Sequence, residues 1–275
     1  MSVYRTYIKK HLSKKLQNNL TNLKIFLLDF IRPIRVSKLA TRIFGFQYKR
    51  SNNSIEIDIT YKCNLSCPNC NRSCTQAPTE ESMTIEQIQD FIKQSIEKNI
   101  KWRKISLVGG EPLVHPNIFE IINLILDYKN HFSRKTKICL VTNGILEEEL
   151  NKVPKDVIII NSNKKTVVNK FSSFNIAPID LDEYKNKDFR NGCQILKYCG
   201  MGLNMYGYYP CAVAGGIDRV FKLNKGRKSI PDKSDLMLDE LDTFCKLCGH
   251  FKKHDNVISS KMSQTWERAY KNLNK

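Results

Sequence analysis

The stretch Ser54-Ile55-Glu56-Ile57-Asp58-Ile59-Thr60 runs directly into Tyr61-Lys62-Cys63-Asn64-Leu65-Ser66-Cys67-Pro68-Asn69-Cys70, and this junction decides the fold. Over the first seven residues isoleucine alternates with a polar residue, the period of a β-strand. Three cysteines then follow in the spacing C-x3-C-x2-C. In a loop leaving a strand, cysteines this close can turn three thiolates toward one point. A [4Fe–4S] cube takes one thiolate per iron, so three ligands leave one iron open to a chelating small molecule. A structural zinc site takes four ligands, and Cys74 could supply the fourth.

Working outward, Thr84-Ile85-Glu86-Gln87 is a capping box that starts a helix running to about Asn99. Lys104 to Val108 reads as a second strand, Asn117 to about Lys129 as a helix, and Thr136 to Val141 as a third strand. Leu146 to Val153 reads as a short helix, Val157 to Ile160 as a fourth strand, and Phe174 to Ile179 as a candidate fifth. Strands alternating with helices imply an α/β fold on a parallel sheet. Chemistry in such folds collects at the carboxyl ends of the strands. The unusual residues lie there: the cysteines after the first strand, Gly109-Gly110-Glu111-Pro112 after the second, and Thr142-Asn143-Gly144 after the third.

On these motifs the sequence resembles the radical S-adenosylmethionine (SAM) superfamily, from about residue 54 to about residue 250. The resemblance implies a partial (β/α)6 barrel in which Cys63, Cys67 and Cys70 hold the [4Fe–4S] cluster and its open iron takes SAM. Gly109, Gly110 and Glu111 match the GGE element that meets the methionine ammonium, and glycines there permit close approach. Thr142 and Asn143 would line the site, and Asn161 or Ser162 would reach the ribose. Asn69 stands where many members carry an aromatic residue near the adenine. The implied chemistry is SAM cleavage to a 5′-deoxyadenosyl radical that abstracts a substrate hydrogen, with an electron donor such as flavodoxin or ferredoxin. His115, close behind the Gly-Gly-Glu element, reads as structuring its loop.

The C-terminal third holds Cys193, Cys199, Cys211 and the pair Cys245-Lys246-Leu247-Cys248. Four thiolates from two separated segments suit a fully ligated cluster or zinc. The arrangement resembles the twitch domain, the half-sized relative of SPASM. It implies an auxiliary [4Fe–4S] cluster on Cys193, Cys211, Cys245 and Cys248, with Cys199 as the spare or the substitute for Cys193, and Leu203 to Cys211 as a hairpin feeding it. The competing site is zinc on Cys245, Cys248, His250 and His254. Cys139, inside an apolar strand, reads as core packing, and Cys74 is without an assigned role.

Ten cysteines in a chain of 275 residues exceed core filling, and the first fifteen residues, polar and basic, read against a secretory signal. A cytoplasmic chain with clustered cysteines points to metal or catalysis rather than disulfides. The net charge of +18 is concentrated: residues 1–50 carry twelve lysines and arginines against Asp29 alone. Leu16, Leu20, Leu23, Leu27 and Phe30 recur there at helical spacing until Pro33, over too short an apolar run to span a bilayer. Packing of this stripe on the enzyme body is the first expectation. Contact with the inner membrane surface or a glycolipid is the second. The expected domains are a basic helical extension (1–50), a radical SAM core (51–190), a twitch-like auxiliary domain (191–255) and a helical tail (256–275).

The leading functional expectation is oxidation or rearrangement of a small polar, sugar-like substrate. A peptide-modifying enzyme of the same superfamily is the alternative. A non-catalytic zinc or nucleic-acid-binding protein would explain charge and cysteines, but not Gly-Gly-Glu-Pro after a strand, so no specific nucleic acid is expected. Arg190, Asp218 and Arg219 are charged residues near the second cysteine group and read as surface ion pairs.

Overall fold

The structure, a computed structural model, describes residues 27, 30–67, 70–162, 174–252 and 262–273. Asn69, His254 and the leucines at 16, 20 and 23 lie outside the described residues. Residues 30–35 are helical and α1 (Lys38–Phe44) follows, capped by Ser37, whose side chain accepts from the Ala40 N–H. Then come β1 (Ser54–Thr60), α2 (Ile85–Glu97), β2 (Lys104–Gly109), α3 (Ile118–His131), β3 (Lys137–Thr142), α4 (Glu147–Lys152) and β4 (Val157–Asn161). The chain continues through α5 (Ile195–Tyr198), β5 (Met201–Asn204), β6 (Gly207–Tyr209), α6 (Ala214–Phe221), α7 (Leu238–Cys245) and α8 (Gln264–Leu273).

The six strands form one open sheet in the order β4-β3-β2-β1-β5-β6, parallel except for the β5–β6 hairpin. The fold is therefore the expected α/β class, with four strands in succession and a hairpin closing the other edge in place of six β/α repeats. Phe174 to Ile179 forms no strand. Phe174 and Ala177 are buried in a side cluster with α6 and α8, and Pro178 opens a 3-10 turn. The strand beside β1 is β5, where a Cβ on Gly200 would overlap the Ser54 carbonyl and one on Gly202 the Cys211 carbonyl. Glycine lets those backbones meet.

The capping box on α2 has both bonds, Thr84 accepting from Gln87 N and Gln87 from Thr84 N. Burying the apolar faces of α2 and α3 against the sheet makes the main core: Ile55, Ile57 and Ile59 of β1 meet Ile88, Phe91, Ile121, Ile122 and Ile125. The period of two then sends Glu56, Asp58 and Thr60 to the opposite face, with Ser106 of β2 and Cys139 of β3. All five are buried. The C-terminal helix α8 is no loose tail, since Trp266 and Tyr270 are buried against α6. Of the N-terminal stripe only Leu27 and Phe30 are described, and at 53% and 71% exposed these two do not pack on the body.

Candidate active site

Four strand ends meet at one edge of the sheet. The Cys63 loop is fixed to the end of β2 by backbone: Gly110 N donates to Thr60 O at 2.8 Å and Glu111 N to Lys62 O at 3.0 Å. A Cβ at Gly110 would overlap the Lys62 carbonyl and stand 3.0 Å from Cys63 Cβ. Gly109, at φ 138°, would likewise collide with Thr60 O. The double glycine is thus required by the approach of the cysteine loop itself.

Glu111 is 1% exposed, and burial pushes its carboxyl up against the opposing pull of its donors. Those donors are Thr142 Oγ1 at 2.8 Å and Leu113 N at 3.2 Å on Oε1, and Asn143 N at 2.8 Å on Oε2. Oε2 accepts one bond and has capacity for a further donor. Asn143 Nδ2 reaches Asn64 Oδ1 at 2.7 Å, tying the end of β3 to the cysteine loop. Ser162 Oγ donates to Thr142 O at 3.0 Å, and a Cβ on Gly144 would overlap the Asn161 side chain. The structure therefore brings Gly109, Gly110, Glu111 and Asn143 to the loop that carries Cys63, with Thr142 on Glu111, and leaves Asn161 and Ser162 farther out beside Gly144 and Thr142.

The thiols of this loop differ. Burial pushes Cys63 up to about 11. Cys70 is pulled down, first by a hydrogen bond from the Cys74 thiol and then by the N–H groups of Cys74 and Arg72, with burial opposing. Cys74, as donor of that bond, is pushed up. Sequence reasoning left Cys74 without a role; here it is a buried neighbour that favours the Cys70 thiolate. Cys67 is 8% exposed.

Beneath the loop lies an ionic group that sequence reasoning missed. Arg72, 9% exposed, donates to Glu56 Oε2 at 2.9 Å and to Asp58 Oδ1 at 3.2 Å. Burial raises Asp58 to about 6 despite the guanidinium. Cys199 hydrogen-bonds Glu56 in the same group. Arg219 of α6 braces the loop from the other side, donating to Ala77 O at 2.7 Å and lying 4.4 Å from the centre of the Tyr61 ring. Two charged residues thus depart from the surface-pair expectation. Arg219 holds backbone, and buried Asp218 accepts from Tyr209 OH at 2.7 Å and from Lys225 N. Arg190 does form the expected outer ion pair, with Asp188 at 2.8 Å. His115 bridges Met83 O through Nε2 at 2.9 Å and accepts from Asn117 N on Nδ1 at 3.1 Å, which makes it a loop brace.

Away from this edge, Cys193, Cys211, Cys245 and Cys248 line one apolar pocket with Leu196, Phe244 and Phe251. Cys199 is not among its lining residues. Among the described residues no three Cys, His, Asp or Glu side chains converge tightly enough to hold a single metal ion. Four thiols from two separated segments share this apolar lining, a donor set that fits a fully ligated cluster. Burial raises all four, Cys211 to about 12, and each is raised further or opposed only weakly by its surroundings. Thiolates would form here only with a cationic group among them. Beside the cavity, Arg32 lies 5.8 Å over the Phe251 ring and donates from Nη1 to Lys252 O at 3.2 Å. Its Nε and Nη2 are buried without a hydrogen-bond partner, and its charge favours the thiolates of Cys193, Cys245 and Cys248.

With this geometry established, comparison with known proteins is informative. A family model described as the radical SAM superfamily matches residues 57–174. The chain carries a radical SAM domain. Enzymes with such domains use a [4Fe–4S] cluster and SAM as cofactors, and the donor set fits: three thiols on one loop, with glycine backbone against them.

Curated relatives of the radical SAM domain include "Probable GTP 3',8-cyclase" of Methanocaldococcus jannaschii, 39% identical over 110 residues, covering 40% of this chain and 35% of the relative. GTP 3',8-cyclase of Aliarcobacter butzleri is 30% identical over 139 residues, covering 50% of this chain and 41% of the relative. The chain thus spans between about a third and two fifths of the length of these relatives. Among solved structures, BtrN in complex with AdoMet and 2-DOIA aligns with a TM-score of 0.44 at 13% identity, over 78% of this chain and 100% of that one.

Proposed function

We propose that the chain is a radical SAM enzyme acting on a small polar, sugar-like substrate, with Cys63, Cys67 and Cys70 as ligands of the SAM cluster. The observation that carries this reading is the interlock of the cysteine loop with Gly110 and, through Glu111, with Thr142 and Asn143. When bound, the cluster and SAM supply a 5′-deoxyadenosyl radical able to abstract hydrogen from substrate. The chain's own part is to position and shield. Gly109 and Gly110 let the cysteine loop close against the end of β2. Oε2 of Glu111 is free to take one more donor, the chemistry of an ammonium. Asn161 and Ser162 stand at the far strand end, where a ribose hydroxyl would lie.

Cys193, Cys211, Cys245 and Cys248 are in this reading the ligands of a second [4Fe–4S] cluster, with Arg32 as the neighbouring cation. The polar substrate is supported by relatives whose name places their reaction on GTP. A cytoplasmic setting agrees with ten cysteines that are all free, and the same reading takes ferredoxin or flavodoxin as electron donor and the N-terminal segment as peripheral to the inner membrane surface.

The test is anaerobic turnover with SAM, dithionite and a deuterated candidate substrate, following deuterium into 5′-deoxyadenosine. GTP and aminocyclitols are the first two candidates. Transfer from a sugar carbon is the expected result. SAM left intact by reduced, cluster-loaded protein would overturn the proposal.

A further inference from the structure

We propose that residues 30–44 form a docking surface for an anionic lipid membrane. Large apolar side chains are exposed here to an extent found nowhere else among the described residues: Phe30 71%, Ile34 67%, Leu39 69%, Ile43 64% and Phe44 67%. Leu27 and Ile31 are exposed as well, at 53% and 46%. Positions 30, 31 and 34 share one helical face, and 39 and 43 share another. The two are joined where Arg35 lies 5.7 Å over the Phe44 ring.

The surface is held to the body, so its apolar face is presented outward as a fixed feature. Val36 is fully buried, Lys187 Nζ donates to Pro33 O at 3.0 Å, and Asn191 Nδ2 donates to Thr41 Oγ1 at 2.6 Å. Cations are interleaved with the apolar side chains: Arg35, Lys38 and Arg42, none of them in an ion pair with a described carboxylate. Upstream, residues 1–26 add Arg5, Lys9, Lys10, Lys14, Lys15 and Lys24 and no acidic residue.

Charge selects the occupant. A second copy docking through the same face would set these cations against themselves. A nucleic acid would meet the cations but leave the isoleucines, leucines and phenylalanines in water. An anionic lipid surface satisfies both, taking apolar side chains at the acyl boundary and cations among the headgroups. No helix among the described residues is long and apolar enough to cross a membrane, so the contact is with its surface. This inference deepens the peripheral location proposed for the enzyme and does not depend on its chemistry.

The full chain should co-sediment with vesicles of equimolar phosphatidylcholine and phosphatidylglycerol, weakly with phosphatidylcholine alone, and less at high salt. A triple variant Arg35→Gln/Lys38→Gln/Arg42→Gln should bind the mixed vesicles about 100-fold more weakly, at about tenfold for every one to two charges removed. A second variant, Phe30→Ser/Ile34→Ser/Leu39→Ser, changes only exposed side chains and should lose at least as much. Both should keep the wild-type circular dichroism spectrum and melting temperature. Three results would overturn the proposal: wild-type binding indifferent to phosphatidylglycerol, variants that bind like wild type, or a wild-type dimer that the serine variant dissociates while lipid binding is absent.

Discussion

The two cysteine sites are built from the same side chain and differ in almost everything around it. The Cys63–Cys70 site sits at strand ends among polar groups, with Glu111, Asn143, Arg72 and the Cys74 thiol in its surroundings. The Cys193–Cys248 site is sealed in apolar side chains, with four thiols raised by burial and Arg32 as the neighbouring cation. A strand-end site with three thiols would leave one iron of a cube open to a cofactor. A sealed site with four thiols has no position left for one, which suits a cluster that only holds or passes an electron. On the proposed function, chemistry belongs to one site and support to the other.

The sharpest break of that contrast is Cys70→Ser, which should abolish 5′-deoxyadenosine formation while leaving the second cluster's iron in place; iron analysis alongside product chromatography checks it. Gly110→Ala comes next. Its Cβ must displace Lys62 or Cys63, and a shift of this kind costs about 100-fold in 5′-deoxyadenosine rate with the fold retained. Arg72→Met leaves Glu56 and Asp58 buried without their cation, and should lower stability by about 3–5 kcal/mol in a denaturant melt. The smallest effect belongs to the other site. Arg32→Met removes unpaired donors beside the cavity and should lower the potential of the second cluster alone, by about 100 mV for one charged hydrogen bond. A shift at the first cluster instead would misplace Arg32's influence.

The sequence carried the first site further than the second. Ile55, Ile57 and Ile59 announced β1 by their period, and Thr84 and Gln87 announced α2 by a local cap, because both signals are written within a few residues. Gly109 and Gly110 were legible as motif, but their reason, the Lys62 carbonyl against them, is a contact across strands. The pairing of Arg72 with Glu56 and Asp58 was not read, since alternation alone makes those carboxylates look like the wet face of a half-buried strand. Phe174 to Ile179 looked like a strand by apolar content, whereas β5, four residues flanked by Gly200, is made by its neighbour β1. The stripe ending at Phe30 shows a related limit: helical period reveals that an apolar face exists, not what covers it.

The claim that two independent clusters divide chemistry from support is tested most directly by counting iron. Anaerobically purified wild-type protein should carry about eight iron atoms per chain, two cubes of four, and the Cys63→Ala/Cys67→Ala/Cys70→Ala protein about half of that. Zinc in place of iron at both sites, or a triple variant that retains no iron, would contradict the account.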